Sequence, residues 1–598
     1  MSETGTTELP EHLARPSKVV IRDSESSTDT LIDEISSQLE ISQITARVLT
    51  RRGIASVEEA RSFLYPTLRE HLPDPRKIKN ILDATKLIIE ALESNKQITV
   101  YSDFDVDGLS AGSQLDLFLS SVGGLVNHYT PNRFTEGYGL VESAIEKLRK
   151  AETELLITVD CGVTNSKEIA LAKKYGMQVL VLDHHQVRDL PPADVVVDPA
   201  QEGCPFKDFE LCAAGLVWML IIVLRGELKK AWAERLEEED LEIPDPKDFL
   251  DLAALGTICD MVPLRRLNRV IAYRGVEALR ATKRPGLVAL KEAANISNSK
   301  RLTSGHVSFA LGPRINAAGR LEDPNQVFEL LTTANTLRAK KIANKVNRLN
   351  TRRRAVEDSV RKDCLDFILD NDLTESPAFA IFGEEFHSGV IGIVAQRVVE
   401  HYYRPSAVMA PGEMKNNKGE TIEVIKGSVR SIEGFNVAEV LQELDSCLLK
   451  HGGHSSAGGF TLLPENLAEF QDGFIEAART RLSPEQFVRT LKADAEVSLS
   501  EIDFDVVNEL SQLQPFGMKN PSPVLVAHDV LIESVQSLSE GHVRLRLSAD
   551  DCRVGAVAWR FRGHPLLTRG RKVSIAFQPE INTYQGLSSV QLTIKEIW

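Results

Sequence analysis

Cysteine is scarce and scattered. The seven residues, at 161, 204, 212, 259, 364, 447 and 552, include no Cys-x-x-Cys spacing. An odd, dispersed set excludes a disulfide scaffold and a thiolate zinc site, and points to reduced thiols in a cytoplasmic setting. No apolar run approaches the ~18 residues of a membrane span, and the polar, acidic N-terminus lacks the pattern of a signal peptide. Positive charge is in deficit as well: 70 Lys and Arg against 85 Asp and Glu leave a net charge of −15. That excludes coating of nucleic acid by bulk electrostatics, so any such partner must be gripped by a local basic groove. Hydrophobic content of 42% is ordinary for a globular chain, and 598 residues exceed one core, with a prior of about four domains.

What the chain does have is a set of apolar runs that end in acids. Ile98-Thr99-Val100-Tyr101-Ser102 reads as a buried strand and runs into Asp103, Asp105 and Asp107 at alternate positions, then Gly108 and a helical pattern. Leu155 to Val159 runs into Asp160, and Val179 to Leu182 into Asp183-His184-His185. In an open parallel sheet the carboxyl ends of neighbouring strands line one crevice, where such folds bind ligands. A single strand-end aspartate is usually a turn residue; three strand ends with a histidine pair are not so explained.

Like charges ~4 Å apart repel by about 4 kcal/mol at an effective dielectric of ~20, so a cation belongs among these acids. No Lys or Arg interrupts the motifs. Aspartate oxygens with an imidazole nitrogen suit Mn²⁺ or Mg²⁺ better than a thiol-seeking ion, and several aspartates can hold two. A pair of divalent ions is the common device for in-line displacement at phosphorus. Cys161 and Cys259, next to candidate ligands, read as small buried fillers, with redox sensitivity left open.

Asp103-Phe104-Asp105-Val106-Asp107-Gly108, Thr158-Val159-Asp160-Cys161-Gly162 and Asp183-His184-His185 resemble the first three motifs of the DHH phosphoesterases, and later stretches resemble the RecJ-type exonucleases specific for single strands. The likeness runs from about residue 37 to the C-terminus. Asp251 to Asp260 resembles the fourth motif, whose last aspartate is a metal ligand; the role passes to Asp260, while Asp251 reads as structural. The resemblance thus implies a metal set of Asp103, Asp105, Asp107, Asp160, Asp183, His184 and Asp260, with Asp105, Asp107, Asp160, His184, His185 and His454 in catalysis. His184 is the better ligand of its pair, and His185 a support or phosphate contact.

The fold expected is α/β: a doubly wound parallel-sheet DHH domain, a long helix, a smaller α/β DHH-associated domain and a C-terminal OB-fold barrel. Residues 1–35 carry few large apolar side chains and read as a tail without structure; 36–92 read as a helical cap, 93–323 as the catalytic domain, 324–370 as the connecting helix, 371–482 as the DHH-associated domain and 483–598 as the OB-fold. Leu311 to Leu321 reads as a Gly- and Pro-punctuated loop whose Arg314, Asn316 and Arg320 are substrate contacts by resemblance. The helical segment after Pro324 carries Arg338, Lys340, Lys341, Lys345, Arg348, Arg352, Arg353 and Arg354. It is the densest basic stretch in the chain and is expected to border a DNA path.

In the second lobe a helix is expected after Gly389. Gly427 to Ser431 and Gly452 to Gly459 read as a close-approach backbone nest for phosphate, with tight helix packing an equal reading for the glycines taken separately. By resemblance Gly453 and His454 face the metals and the scissile phosphate, and Ser428 and Arg430 hold a terminal or backbone phosphate. Phe386 and Ser388 stand where the family tends to carry Trp and Pro, flanking His387. Strand-like runs at 543–547, 554–559, 573–577 and 589–597 make a small barrel, with Trp559, Phe561 and Tyr584 as stacking or core aromatics. The chain stops soon after it, without the extra domain of some relatives.

The resemblance implies an exonuclease that removes nucleotides from the 5′ end of single-stranded DNA with Mn²⁺ or Mg²⁺ in repair and recombination. A single-strand-binding protein or a helicase is the kind of protein partner left open, and no membrane is involved. Two alternatives stand beside it: a DHH phosphoesterase for short oligonucleotides or small esters, and a non-catalytic replication protein on the same fold. The barrel counts against the first and the four intact acidic motifs against the second.

Overall fold

Strands buried on both faces read as unbroken β-branched and leucine runs, and three such strands, Gln97–Ser102, Leu155–Val159 and Gln178–Leu182, lie between the edge strands Leu125–Tyr129, beside the first, and Val195–Val197, beside the third, in a five-stranded, all-parallel sheet. The computed structural model of the chain describes residues 17–598 except 25–26, 133–135, 138, 187–188, 297–301, 416–419, 550 and 585. It divides into two units, one of residues 58–351 with 513–522, the other of residues up to 57, 352–512 and 523–598.

The parallel sheet forms the heart of the first unit. Ile98, Val100, Leu155, Ile157, Leu180 and Leu182 pack on one face beneath the helices Val106–Ser121, Ala213–Ala231 and Leu250–Cys259. Tyr101, Leu156, Val179 and Val181 pack on the other, beneath Glu142–Lys150 and Ser166–Lys174. Strand order reverses at Gln97–Ser102, since the chain adds its next strand on one side and every later strand on the other. In doubly wound sheets that reversal opens a crevice at the carboxyl ends of the two strands beside it. Asp103 and Asp160 follow those two strands directly.

The second unit holds two sheets. One is five-stranded in the order Lys450–Gly453, Ala457–Leu462, Thr421–Arg430, Ser406–Lys415, Phe379–Phe382, with the helix Ile391–Tyr402 packed on it. The other is a barrel of Leu525–Ser537, Val543–Ala549, Cys552–Ala558, Leu587–Ile597 and Lys572–Tyr584, closed by pairing of the first with the last. The 13-residue opening strand was absent from the sequence expectation. Its polar second half does not read as a buried run. Among the described residues no helix is long and apolar enough to cross a membrane.

Three expectations need correction. Residues 1–35 are not all without structure: Ser17–Ile21 is a strand paired in parallel with Arg489–Ala493, and Asp29–Leu39 is a helix. Composition misled there because a partner distant in sequence supplies the ladder. Leu311 to Leu321 is not a loop but a helical element, a π turn at Val307–Leu311 continuing as Gly312–Leu321, with Pro313 tolerated at its first turn. The connecting helix of 324–370 is two helices, Asn325–Thr332 and the 35-residue Thr336–Asp370.

The N-terminal segment is tied down by one buried acid. Asp494, 0% exposed, receives Arg52 through Nε and Nη2 at 2.9 Å each, Arg22 Nε at 3.2 Å and the Val524 amide at 2.9 Å. Removing one partner of a buried charge pair typically costs ~3–5 kcal/mol, because the other charge is stranded. Asp494→Ala is therefore expected to lower the melting temperature and to speed proteolysis within 17–57. Unchanged melting and cleavage would show that the strand pairing alone holds the segment.

Candidate metal centre

The acids reach one place because strand ends and helix starts coincide there. Asp105 caps the helix Val106–Ser121, its Oδ1 accepting the amides of Asp107 at 2.9 Å and Gly108 at 3.1 Å. Gly108 must be glycine, as a Cβ would lie 2.7 Å from the Asp103 carbonyl oxygen. Asp107, 1% exposed, takes the amides of Ala213 and Ala214 at the start of the helix Ala213–Ala231 at 2.7 and 2.9 Å. Gly256 leaves the room it needs: a Cβ there would fall 2.4 Å from Asp107 Oδ1. Asp160 turns its strand end with a left-handed backbone, φ 64°. Such conformations in a non-glycine residue cluster at functional sites.

Three groups of side chains bring donor atoms within 4.8 Å of one another: Asp103, Asp105 and Asp160; Asp107, His184 and Asp260; and Asp160, His184 and His185. His184 Nε2 lies 3.1 Å from Asp160 Oδ1, 3.8 Å from Asp107 Oδ2 and 3.9 Å from Asp260 Oδ2. Burial, then the neighbouring carboxylates, raises Asp160 well above the usual range and Asp260 to about 9; Asp107 is raised by burial and Asp105, against the pull of His184. Burial also lowers His184, keeping it the neutral imidazole that a metal requires. Hard oxygens plus one or two imidazoles, buried together with excess negative charge, fit Mn²⁺ or Mg²⁺. When bound, such a pair of ions acidifies a water and neutralises charge on phosphoryl oxygens.

Asp183 differs from the others and stands outside these three groups. Its Oδ1 accepts the amides of His184 and His185 and the His185 ring at Nδ1, 2.7 Å away, while Oδ2 takes the Val163 amide at 3.0 Å. Burial would raise it, but the hydrogen bond and charge of His185 hold it down to about 2. His185 in turn is raised to about 9 against its own burial. Geometrically Asp183 orients the histidine pair.

The remaining sequence candidates scatter. Arg314 donates Nε to Asn347 and Nη1 to the Ala310 carbonyl, at 2.9 and 2.7 Å. Asn316 Oδ1 accepts the Val106 amide at 3.1 Å, bracing the acidic loop, and Arg320 is half-buried near the end of the same helix. Asp251 is structural, paired with Thr282 and Arg284. In the other unit, Arg430 Nη1 donates to Ser428 Oγ at 3.1 Å, and both side chains border Gly392 at the start of its helix. Gly453 ends a strand and His454 lies exposed in the turn after it, a hairpin in place of the glycine nest expected. Cys161 is buried and Cys259 half-buried, and burial pushes both thiols up. Phe561 is core at 6% exposure, Trp559 is 52% exposed, and the side chain of Tyr584 lies outside the described residues.

Asp198 was missed. It follows the strand Val195–Val197, is fully buried and raised to about 7, chiefly by burial. The run Val195-Val196-Val197 into Asp198 repeats the signal of its neighbours in a shorter strand.

Three family models match: the N-terminal domain of the DHH family over residues 97–257, the DHHA1 domain over 375–480 and the RecJ OB domain over 493–596. The class is therefore that of the DHH proteins. The single-stranded-DNA-specific exonuclease RecJ of Escherichia coli is 31% identical over 94% of this chain and 96% of its own, and that of Bacillus subtilis 31% over 94% and 69%. The crystal structure of Thermus thermophilus RecJ with Mn²⁺ superposes with a TM-score of 0.80 at 28% identity, covering 98% of this chain and 79% of that one. The Mg²⁺ complex gives 0.73 at 26% identity, covering 97% and 78%. The chain belongs to the RecJ family of single-stranded-DNA-specific exonucleases.

The shifted acids generate a test by pH. Asp260 is raised from its ordinary 3.8 to about 9, so in ion-free protein its stabilising contribution is full below 3.8 and is lost as pH rises through about 9. Asp260→Asn is thus expected to melt above wild type at the alkaline end of that window and level with it at the acid end. Added Mn²⁺ should stabilise wild type more than the variant. Identical melting of the two across the window, with and without Mn²⁺, would remove Asp260 from the cluster.

Proposed function

We propose that this protein degrades single-stranded DNA from its 5′ end to mononucleotides, using two Mn²⁺ or Mg²⁺ ions, in DNA repair and recombination. The convergence of Asp103, Asp105, Asp107, Asp160, His184 and Asp260 on one crevice carries the reading. As a member of its family the protein is an enzyme, a nuclease specific for single strands. In this reading those six residues hold the ions, and Asp183 holds His185 by Nδ1 so that its imidazolium meets a phosphate oxygen. Asn316 braces the acidic loop at Val106, while Arg314 and Arg320 stabilise the helix beside it.

The other unit grips the strand. Ser428, Arg430 and the start of the helix Ile391–Tyr402 make an anion site suited to a terminal phosphate, and Gly453 and His454, on the neighbouring hairpin, contribute a contact to the scissile phosphate. Lys341, Arg348 and Arg352, at helical spacing on Thr336–Asp370, border the DNA. On the barrel, exposed Trp559 stacks a base while Arg544 and Arg546, alternating on Val543–Ala549, meet phosphates. A reader of short oligonucleotides would have no use for that barrel.

End-labelled single and double strands with Mn²⁺ or Mg²⁺ test the proposal directly. Release of mononucleotides from the 5′ end of single strands alone is expected; trimming from the 3′ end, or equal attack on duplex, would overturn it. Asp105→Ala or Asp160→Ala should reduce cleavage by orders of magnitude while single-strand binding persists, and normal turnover in either would refute the ligand assignment. Arg430→Ala is expected to weaken binding and to reduce the salt dependence by about one counterion. An unaltered salt slope would assign Arg430 to structure.

A further inference from the structure

Phe309 is 78% exposed, the most exposed aromatic among the described residues. Burying such a ring is worth ~1.5–3 kcal/mol, and here the chain forgoes it. The ring stands on the π turn Val307–Leu311, a single-turn distortion of the kind that recurs at functional sites. That turn abuts the metal centre. The Val307 carbonyl lies 3.9 Å from Cys259 Sγ, next to Asp260, and a Cβ at Gly312 would fall 2.7 Å from the same sulfur. Further along, Asn316 Oδ1 holds the Val106 amide at 3.1 Å, and a Cβ at Gly319 would approach the Phe104 carbonyl to 3.1 Å.

One element therefore touches Phe104, Val106 and Cys259, the chain neighbours of the ligands Asp103, Asp105 and Asp260. Phe309 lies only ~3 Å of helical rise from Val307. Asn316, which braces the acidic loop, follows Phe309 by seven residues, about two helical turns, so the two project from the same side of the element. An exposed aromatic face on the element that braces a phosphodiester-cleaving centre has the chemistry of a base platform.

We propose that Phe309 stacks on a base of the single strand and holds that nucleotide in register with the metal centre. The inference rests on the nuclease reading above and adds a contact within it. A flat ring with no hydrogen-bonding atoms accepts any base, so it favours unpaired over paired nucleotides without reading sequence. A base locked in a duplex cannot offer its face.

The test compares wild type, Phe309→Ala and Phe309→Tyr on a short single-stranded oligonucleotide and on the same strand made abasic. Phe309→Ala should raise KM about 5- to 150-fold, the ~1–3 kcal/mol of one base–aromatic stack, with a much smaller change in kcat. Phe309→Tyr should stay near wild type, and on the abasic strand wild type and Phe309→Ala should converge. Binding without divalent ions, followed by fluorescence of 2-aminopurine placed in turn along the strand, reads the stack independently of cleavage. Quenching at one position in wild type and Phe309→Tyr, lost in Phe309→Ala, is expected even if the nuclease reading fails. Equal KM and equal quenching in wild type and Phe309→Ala would overturn the proposal and leave the exposed ring to a protein partner.

Discussion

Electrostatic repulsion among buried carboxylates is the constraint on which this structure turns. Asp103, Asp107 and Asp160 are each at most 5% exposed, and their donor atoms meet those of Asp105, Asp260 and the DHH histidines within a few ångströms. No arrangement of apolar packing makes that favourable; a large desolvation cost adds to the mutual repulsion. The fold answers with backbone amides at helix starts, two for Asp105 and two for Asp107, and with an imidazole among three acids. These offset part of the charge. A divalent cation completes the balance, which makes the centre a binding site by electrostatics before any chemistry is considered.

The rest of the first unit serves to hold that conflict in place. A parallel sheet covered on both faces sets the heights of the strand ends, and the reversal of strand order opens the crevice between them. Asp160 sits in a left-handed conformation that a free chain would avoid, so packing around the strand end must over-determine it. Asp183 shows how a shared motif divides its labour. Asp183 binds the His185 ring and orients the histidines, whereas Asp107, although it too accepts two amides, keeps an oxygen 3.8 Å from His184 within the cluster.

Legibility in the sequence followed locality. Strand ends that run directly into Asp103, Asp160 and Asp183 were readable because the pattern is contiguous, and four acidic motifs carried a family resemblance through to the RecJ exonucleases. What failed depended on distant partners. Ser17–Ile21 looks like part of a polar tail until Arg489–Ala493 pairs with it and Asp494 captures Arg22 and Arg52. Leu311 to Leu321 looks like a loop because Gly and Pro punctuate it; Cys259 and Phe104 press close enough to require those glycines, and the segment is helical. Asp198 escaped notice because a three-residue strand carries too little periodic signal.

From the sequence alone came the parallel α/β core, the barrel and the metal-loving acids, each written in contiguous residue types whose chemistry is local, while the nuclease reaction came through the family resemblance that those motifs carry. Tertiary structure alone decided which aspartate orients and which acids converge, that Arg314 and Asn316 spend their polar atoms on the protein, and that Phe309 rather than a buried neighbour meets solvent. Those outcomes depend on distances between residues far apart in the chain, and charge, hydrogen bonding and burial act through such distances and not through order along the backbone.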